Sequence, residues 1–242
     1  MKNNFNNVKA ACARTTGISH ERMAIPCQDS VKTSVTEKIT CFVVADGAGS
    51  RKYSHFGAKA VTKVICRILT AKFRHIARRG HLYTRKLLKG KVLKTLGKLA
   101  RSMSASDADF ASTLMFFACN KNEFIAGHIG DGVLAMLKHD GSLVISQDDE
   151  KTFANATSFT TCENAFEKMR LFRGKMANLA SVFGMTDGAA ESLFSKKNRN
   201  LSPACEIIAG WLKICSVEMT TRAMQKNLET MVKTRTHDDC AL

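Results

Sequence analysis

The chain has 242 residues, 45% of them hydrophobic, with only two prolines and a formal net charge of +16. That is enough apolar material for a sizeable core. The sequence holds no Ser/Gly-rich tract, no solenoid repeat and no apolar run near the ~18 residues of a membrane helix, which excludes linkers, repeat arrays and spanning helices as its organising features. One domain over residues 1–242 is expected, and a cytoplasmic one, because the opening MKNNFNNVKAACAR has no apolar signal-peptide core.

In chain order, residues 8–14 (VKAACAR) and 39–46 (ITCFVVAD) read as strands, the second buried on both faces. Helical periodicity occupies 56–79 and 85–103. Within TRKLLKGKVLKTLGKLARS, Leu88, Val92, Leu96 and Leu99 form a stripe, and Arg85, Lys89, Lys91, Lys94 and Lys98 fall largely outside it, the pattern of an amphipathic basic helix. Strands follow at 112–120, 122–131, 132–139 and 142–146, and their short separations predict an antiparallel meander. The polar stretch 147–180, with NATSFTTCENAF, reads as a loop, either a lid beside a site or a surface excursion. A strand at 179–187 (LASVFGMTD) and a helix from 203 toward 234, broken near Val217, complete the pattern. Elements in this order predict an α+β fold with sheets covered by helices.

The excess charge belongs to one segment. Residues 47–106 carry sixteen Lys and Arg and no Asp or Glu, and the other twenty-one bases equal the twenty-one acids elsewhere. Such a face can be merely solvated, or it can attract acidic partners. A membrane surface is a further option; nucleic acid is a weaker one, since aromatics are few and no binding module is recognisable. The nine cysteines are odd in number, lack a CxxC pair and sit in apolar contexts such as TCFVV and FFACN. They read as reduced, mostly buried thiols rather than as disulfides or a zinc site.

VVADGAGS drives a buried run straight into a carboxylate. Asp-Gly is a common turn pair, and at KHDGSL the pair of Asp140 and Gly141 simply joins two apolar stretches. Asp46 differs, because it ends a buried strand and because similar junctions recur at GHIGDG (Asp131) and VFGMTDG (Asp187). Asp29 in PCQDS and Asp238 with Asp239 in HDDCAL lie at other segment edges. Each acid alone could cap a turn, shape a hairpin or lie in a solvated tail. Gathered together they would repel unless a cation sat among them. Oxygen ligands without His or Cys favour Mg²⁺ or Mn²⁺ over zinc, Gly47 would let its carbonyl approach an ion closely, and paired ions can lower the pKa of a shared water.

The order PCQD, VADGAGS, ASTL, GHIGDG, MTDG and HDDCA, spread over residues 26–241, resembles the metal-dependent protein phosphatases of the type 2C class. With SH ahead of PCQD and DGAGS, it is similar to their bacterial, PphC-like branch. The resemblance implies a four-layer α/β/β/α sandwich with two central antiparallel sheets. It implies hydrolysis of phosphoserine or phosphothreonine by direct attack of a metal-bridging hydroxide, with no covalent phosphoenzyme. Two Mg²⁺ or Mn²⁺ ions are implied, with a third, looser one. By motif, Asp46 would bridge the pair, the Gly47 carbonyl would bind one ion, and Asp187 and Asp238 would complete the other. Asp29 would hold metal-bound waters, and Asp131 with Asp187 the third ion. A phosphorylated protein is the implied substrate, and a companion serine/threonine kinase the partner suggested by analogy.

Three departures stand out. Many members carry a phosphate-binding Arg five residues before the first acid, where this chain has Ala24; His20, the preferred substitute, or Arg22 in SHERM could serve. Ala48 replaces a His found after Asp-Gly, which leaves the general acid unassigned. Only Cys240, Ala241 and Leu242 follow Asp239 where the family continues into a strand, which predicts a mobile Asp238 and a weakly held metal. The missing Arg and the short C-terminus motivate a second reading, a catalytically weak regulatory pseudophosphatase that docks acidic phosphoprotein partners through residues 47–106.

Overall fold

In the computed structural model, which describes residues 8–147 and 157–242, side chains alternating along the central strands build three apolar layers. The elements run β1 (Arg14–Thr15), α1 (Ile18–Arg22), β2 (Ser30–Val35), β3 (Thr40–Ala45), α2 (Ser54–Ala77), α3 (His81–Ser102) and β4 (Leu114–Cys119). Next come β5 (Glu123–Ile129), β6 (Val133–Lys138), β7 (Leu143–Ser146), α4 (Ala165–Lys168), β8 (Arg170–Lys175) and β9 (Leu179–Met185). The last are α5 (Asp187–Leu193), β10 (Phe194–Ser195), β11 (Asn200–Leu201), α6 (Pro203–Ile214), α7 (Val217–Asn227) and β12 (Cys240–Ala241).

A five-stranded antiparallel sheet has the order β2-β3-β4-β5-β8, and a three-stranded one the order β7-β6-β9. Because successive residues of a strand face opposite ways, β4 sends Leu114, Phe116 and Ala118 toward α2 and α3, and Met115, Phe117 and Cys119 toward the second sheet. From that sheet, Leu134 and Met136 of β6 meet them, while Val133 and Ala135 face α5, α6 and α7. The result is helix, sheet, sheet, helix, the four-layer sandwich that the resemblance implies. Each large apolar side chain buried like Phe116 contributes about 1.5–3 kcal/mol.

The basic helix lies where its stripe predicts, with Leu88, Val92 and Leu96 buried against the first sheet's helical layer, and the late helix breaks at Cys215 and Ser216, beside the expected Val217. Other expectations are corrected. Of the expected strand only the end is realised: Arg14 and Thr15 pair with β12, and Ala13 adds a bonded pair with Leu242, while residues 8–12 form no strand. The strand β2, unread in the sequence, registers along all of β3. The meander fails after its first hairpin: β5 takes β8 as its second neighbour, and the chain leaves for the other sheet through Gly130, Asp131 and Gly132. Gly130 permits that crossing with φ +112. Part of the stretch read as loop is therefore structured, as α4 and β8, and its residues 148–156 lie outside the described ones.

The short C-terminal end is tied in rather than loose. Leu242 and Ala13 exchange backbone hydrogen bonds at 3.0 and 2.9 Å, and the Thr186 amide donates to the Ala241 carbonyl at 3.1 Å. All nine cysteines are free thiols, and Cys41, Cys66, Cys119, Cys205 and Cys240 are buried. No helix among the described residues is long and apolar enough to cross a membrane.

Candidate metal centre

The acids singled out in the sequence sit where strands end. Asp46 follows β3, Asp131 stands at the crossing from β5 to β6, Asp187 opens α5 directly after β9, Asp29 precedes β2, and Asp238 precedes β12. The ASTL motif clamps the first of these ends. The Asp46 amide donates to Thr113 Oγ1 at 2.9 Å, the Thr113 amide donates back to the Asp46 carbonyl at 2.8 Å, and the Ala48 amide donates to Ala111 at 3.0 Å. Gly47 is needed here on space alone, since a Cβ would lie 2.9 Å from the Gln28 carbonyl oxygen.

Carboxylate oxygens of Asp46, Asp131 and Asp187 lie within 4.8 Å of one another. Burial, then the charges of Asp29, Asp187, Asp238 and Asp131, hold the Asp46 carboxyl well above the usual carboxylate range. Asp187 is pushed up to about 6 by burial and by Asp131 and Asp238. Asp29, 1% exposed, is raised chiefly by burial, against which Thr186 donates to its Oδ2 at 2.7 Å. Its other oxygen, Oδ1, is buried without a hydrogen-bond partner, as is Asp131 Oδ1. Converging carboxylates with orphaned oxygens and raised pKa values fit a hard divalent cation, which supplies the charge and the coordination that the protein withholds.

A second group stands beside the first, formed by His20, Asp238 and Asp239. Asp239 is its buried member: Oδ1 accepts from the Gly17 amide at 2.7 Å and Oδ2 from the Gln28 amide at 2.5 Å. His20 Nδ1 lies 3.0 Å from Asp239 Oδ2, so the imidazole faces this carboxylate rather than the group around Asp46. Asp238 is exposed and joins the first group through its charge, not through the 4.8 Å cluster. Arg22 is exposed, and among the described residues no hydrogen bond or ion pair ties it to the acids. Ala24, at the place of the missing Arg, has φ 54, a left-handed backbone rare for alanine.

Several residues of the site escape a sequence reading. Arg14 donates from Nη1 to the Asp29 carbonyl at 2.5 Å. Arg170 donates to the Gly130 carbonyl at 2.7 Å and so holds the crossing that carries Asp131, while Thr157 donates to the Asp131 carboxylate. Thr186 bridges β9 to both Asp29 and the Ala241 amide. Of these, only Thr186 carries a signal in the sequence, as the Thr of MTDG.

Comparison with known proteins follows this geometry. A family profile described as Protein phosphatase 2C matches residues 16–233. No curated protein sequence matches the chain significantly. Among solved structures, the serine/threonine phosphatase Stp1 from Staphylococcus aureus is similar at 14% identity and a TM-score of 0.63, over 98% of this chain and 94% of that one. PppA, a regulatory component of the type VI secretion system in Pseudomonas aeruginosa, is similar at 16% identity and 0.60, over 98% and 96%. RsbX, in complex with magnesium, is similar at 12% identity and 0.51, over 95% and 90%. At such identities the likeness speaks for the fold.

Proposed function

Because the chain belongs to the protein phosphatase 2C family, a family of metal-dependent protein serine/threonine phosphatases, we propose that it hydrolyses phosphoserine and phosphothreonine at the carboxylate group of Asp46, Asp131 and Asp187. The observation that carries this reading is the convergence of those three acids, from three separate strand ends, with two orphaned carboxylate oxygens close by.

Asp46, Asp187, Asp238 and the Gly47 carbonyl would hold two Mg²⁺ or Mn²⁺ ions, and Asp131 with Asp187 a third. When bound, such ions supply a water acidic enough to attack phosphorus directly and screen the phosphoryl oxygens. The chain's own residues position and hold. Thr186 fixes one oxygen of Asp29 and leaves Oδ1 to orient the attacking water. Asp239 ties the loop at Gly17 to that at Gln28 and lies 3.0 Å from Nδ1 of His20, which we assign to the substrate phosphate, with the exposed Arg22 as the second candidate. Ala48 offers no proton, so no side chain is assigned as general acid.

A phosphorylated protein is the substrate in this reading, a companion serine/threonine kinase a partner, residues 1–242 a single domain and the cytoplasm its place. The pseudophosphatase alternative draws on Ala24 and on the exposure of Asp238; the retention of every acid weighs against it. Hydrolysis of p-nitrophenyl phosphate and of a phosphothreonine peptide with Mn²⁺ decides between them. Turnover abolished by a chelator and by Asp46→Asn is expected. Absence of turnover overturns the enzyme reading, and turnover that survives both treatments overturns the mechanism.

A further inference from the structure

The sixteen bases of residues 47–106 are not scattered over the surface. Fourteen are exposed; the two that are not, Arg85 and Lys89, bind the Met169 carbonyl and Glu167 of the α4 region. On α2, Lys59, Lys63 and Arg67 are exposed and recur every four residues, which places them on one face of the helix; Arg74 and Arg78, also exposed, follow beyond a break in the helical backbone at Lys72. Lys59, Lys63 and Arg67 at its centre make no ion pair among the described residues. At 1.5 Å per residue the ridge from Lys59 to Arg67 is about 12 Å long.

This ridge begins at the metal centre. Ser54, the first residue of α2, packs so closely on Gly47 that a Cβ there would lie 2.9 Å from the Ser54 carbonyl carbon, and the exposed Arg51 and Lys52 fill the interval. We propose that the α2 ridge is a docking surface for acidic sequence flanking the phosphorylated residue, so that the substrates are phosphoproteins with Asp or Glu near the phosphosite. The inference rests on the phosphatase reading above. Lys59 to Arg67 lie roughly 8–20 Å along the helix from its start, a span that an extended peptide at ~3.3 Å per residue covers between about three and six positions from the phosphoresidue. Attraction at this range speeds encounter and is screened by salt. A nucleic acid fits the ridge less well, because Phe56 is the one exposed aromatic ring on this face and base stacking needs several.

The test compares two phosphothreonine peptides of equal length, carrying Glu or Gln at positions three to six from the phosphothreonine, with p-nitrophenyl phosphate as a substrate that has no flanks. At low salt, with Mn²⁺, kcat/KM is expected to favour the Glu peptide about tenfold, with the preference shrinking toward parity at high salt. In the variant Lys59→Glu, Lys63→Glu, Arg67→Glu the preference is expected to vanish or invert, while p-nitrophenyl phosphate turnover stays within about twofold and certifies a folded, metal-loaded protein. Equal rates for the two peptides on the wild type, or a preference that survives the triple reversal, overturns the inference. So does a triple reversal that abolishes sedimentation with anionic vesicles or retention on duplex DNA while peptide preference is absent. Failure to turn over p-nitrophenyl phosphate at all would instead strike the phosphatase reading itself.

Discussion

Two Asp-Gly pairs of this chain meet opposite fates. Asp140 and Gly141 turn the hairpin between β6 and β7: the Asp140 carboxylate accepts from the Ser142 amide at 2.8 Å, and hydrogen bonds from Ser142, its side chain first and then its amide, hold the carboxyl pKa below the usual value. Asp46 and Gly47 end a buried strand, where burial and the neighbouring carboxylates hold the Asp46 pKa far above the usual value. The same dipeptide is self-sufficient in one place and incomplete in the other. Local chemistry settles a turn, whereas a site is marked by polar groups whose needs the protein leaves unmet.

Substitution of the two acids sharpens this contrast most. Asp46→Asn removes a carboxylate proposed to hold the ions and is expected to lower phosphatase turnover roughly a thousandfold, the several kcal/mol that metal stabilisation supplies. Asp140→Asn should leave turnover within about twofold, as for an exposed turn residue. Comparable losses in both variants would erase the distinction.

A smaller effect is expected in stability. Asp239→Ala strips the acceptors from two backbone amides, Gly17 and Gln28, at about 1–3 kcal/mol each, which urea melts would register as a lower midpoint. Asp140→Ala loses one exposed turn bond and should leave the midpoint almost unchanged. The glycines follow the same order. A Cβ on Gly188 would lie 2.3 Å from the Asp239 carbonyl oxygen, so Gly188→Ala should cost about 2–3 kcal/mol. Gly141 has open space around it and only φ +81 to satisfy, so Gly141→Ala should cost about 1 kcal/mol.

Acidity gives the finest test. In chelator, Asp187 with its value raised to about 6 binds a proton more tightly folded than unfolded. Its contribution is therefore complete below the unfolded value of about 3.9 and is lost as pH rises through about 6. Melting temperatures of the metal-free wild type relative to Asp187→Asn should fall across that window. Asp140, with its value lowered, has the opposite sign, contributing above its unfolded value and losing that contribution as pH falls. A relative melting temperature for Asp187 that rises with pH would contradict its environment.

Much of this was legible in the sequence, for reasons that differ by element. The strand at β3, the stripe of α3 and the acids at 29, 46, 131 and 187 follow from patterns a few residues long, so no distant partner is needed to see them. The strand β8 is legible only through its partner: RLFRGK is half-buried throughout at a sheet edge and has no clean alternation. The meander failed because the crossing at Gly130 depends on which sheet offers the better neighbour, a question of tertiary packing. Asp239 and His20 show the same limit within the site. The sequence offers two adjacent acids, and only the approach of Gly17 and Gln28 decides which is buried as a brace and which is left facing outward.

The most direct measurement is the stoichiometry of manganese bound by the metal-free protein, counted by electron paramagnetic resonance in wild type, Asp46→Asn and Asp140→Asn. Uptake of at least two ions by wild type and by Asp140→Asn, with a clear loss in Asp46→Asn, is the expected result. A wild type that takes up no manganese, or an Asp46→Asn variant that binds as the wild type does, would contradict the assignment of these acids to a metal centre.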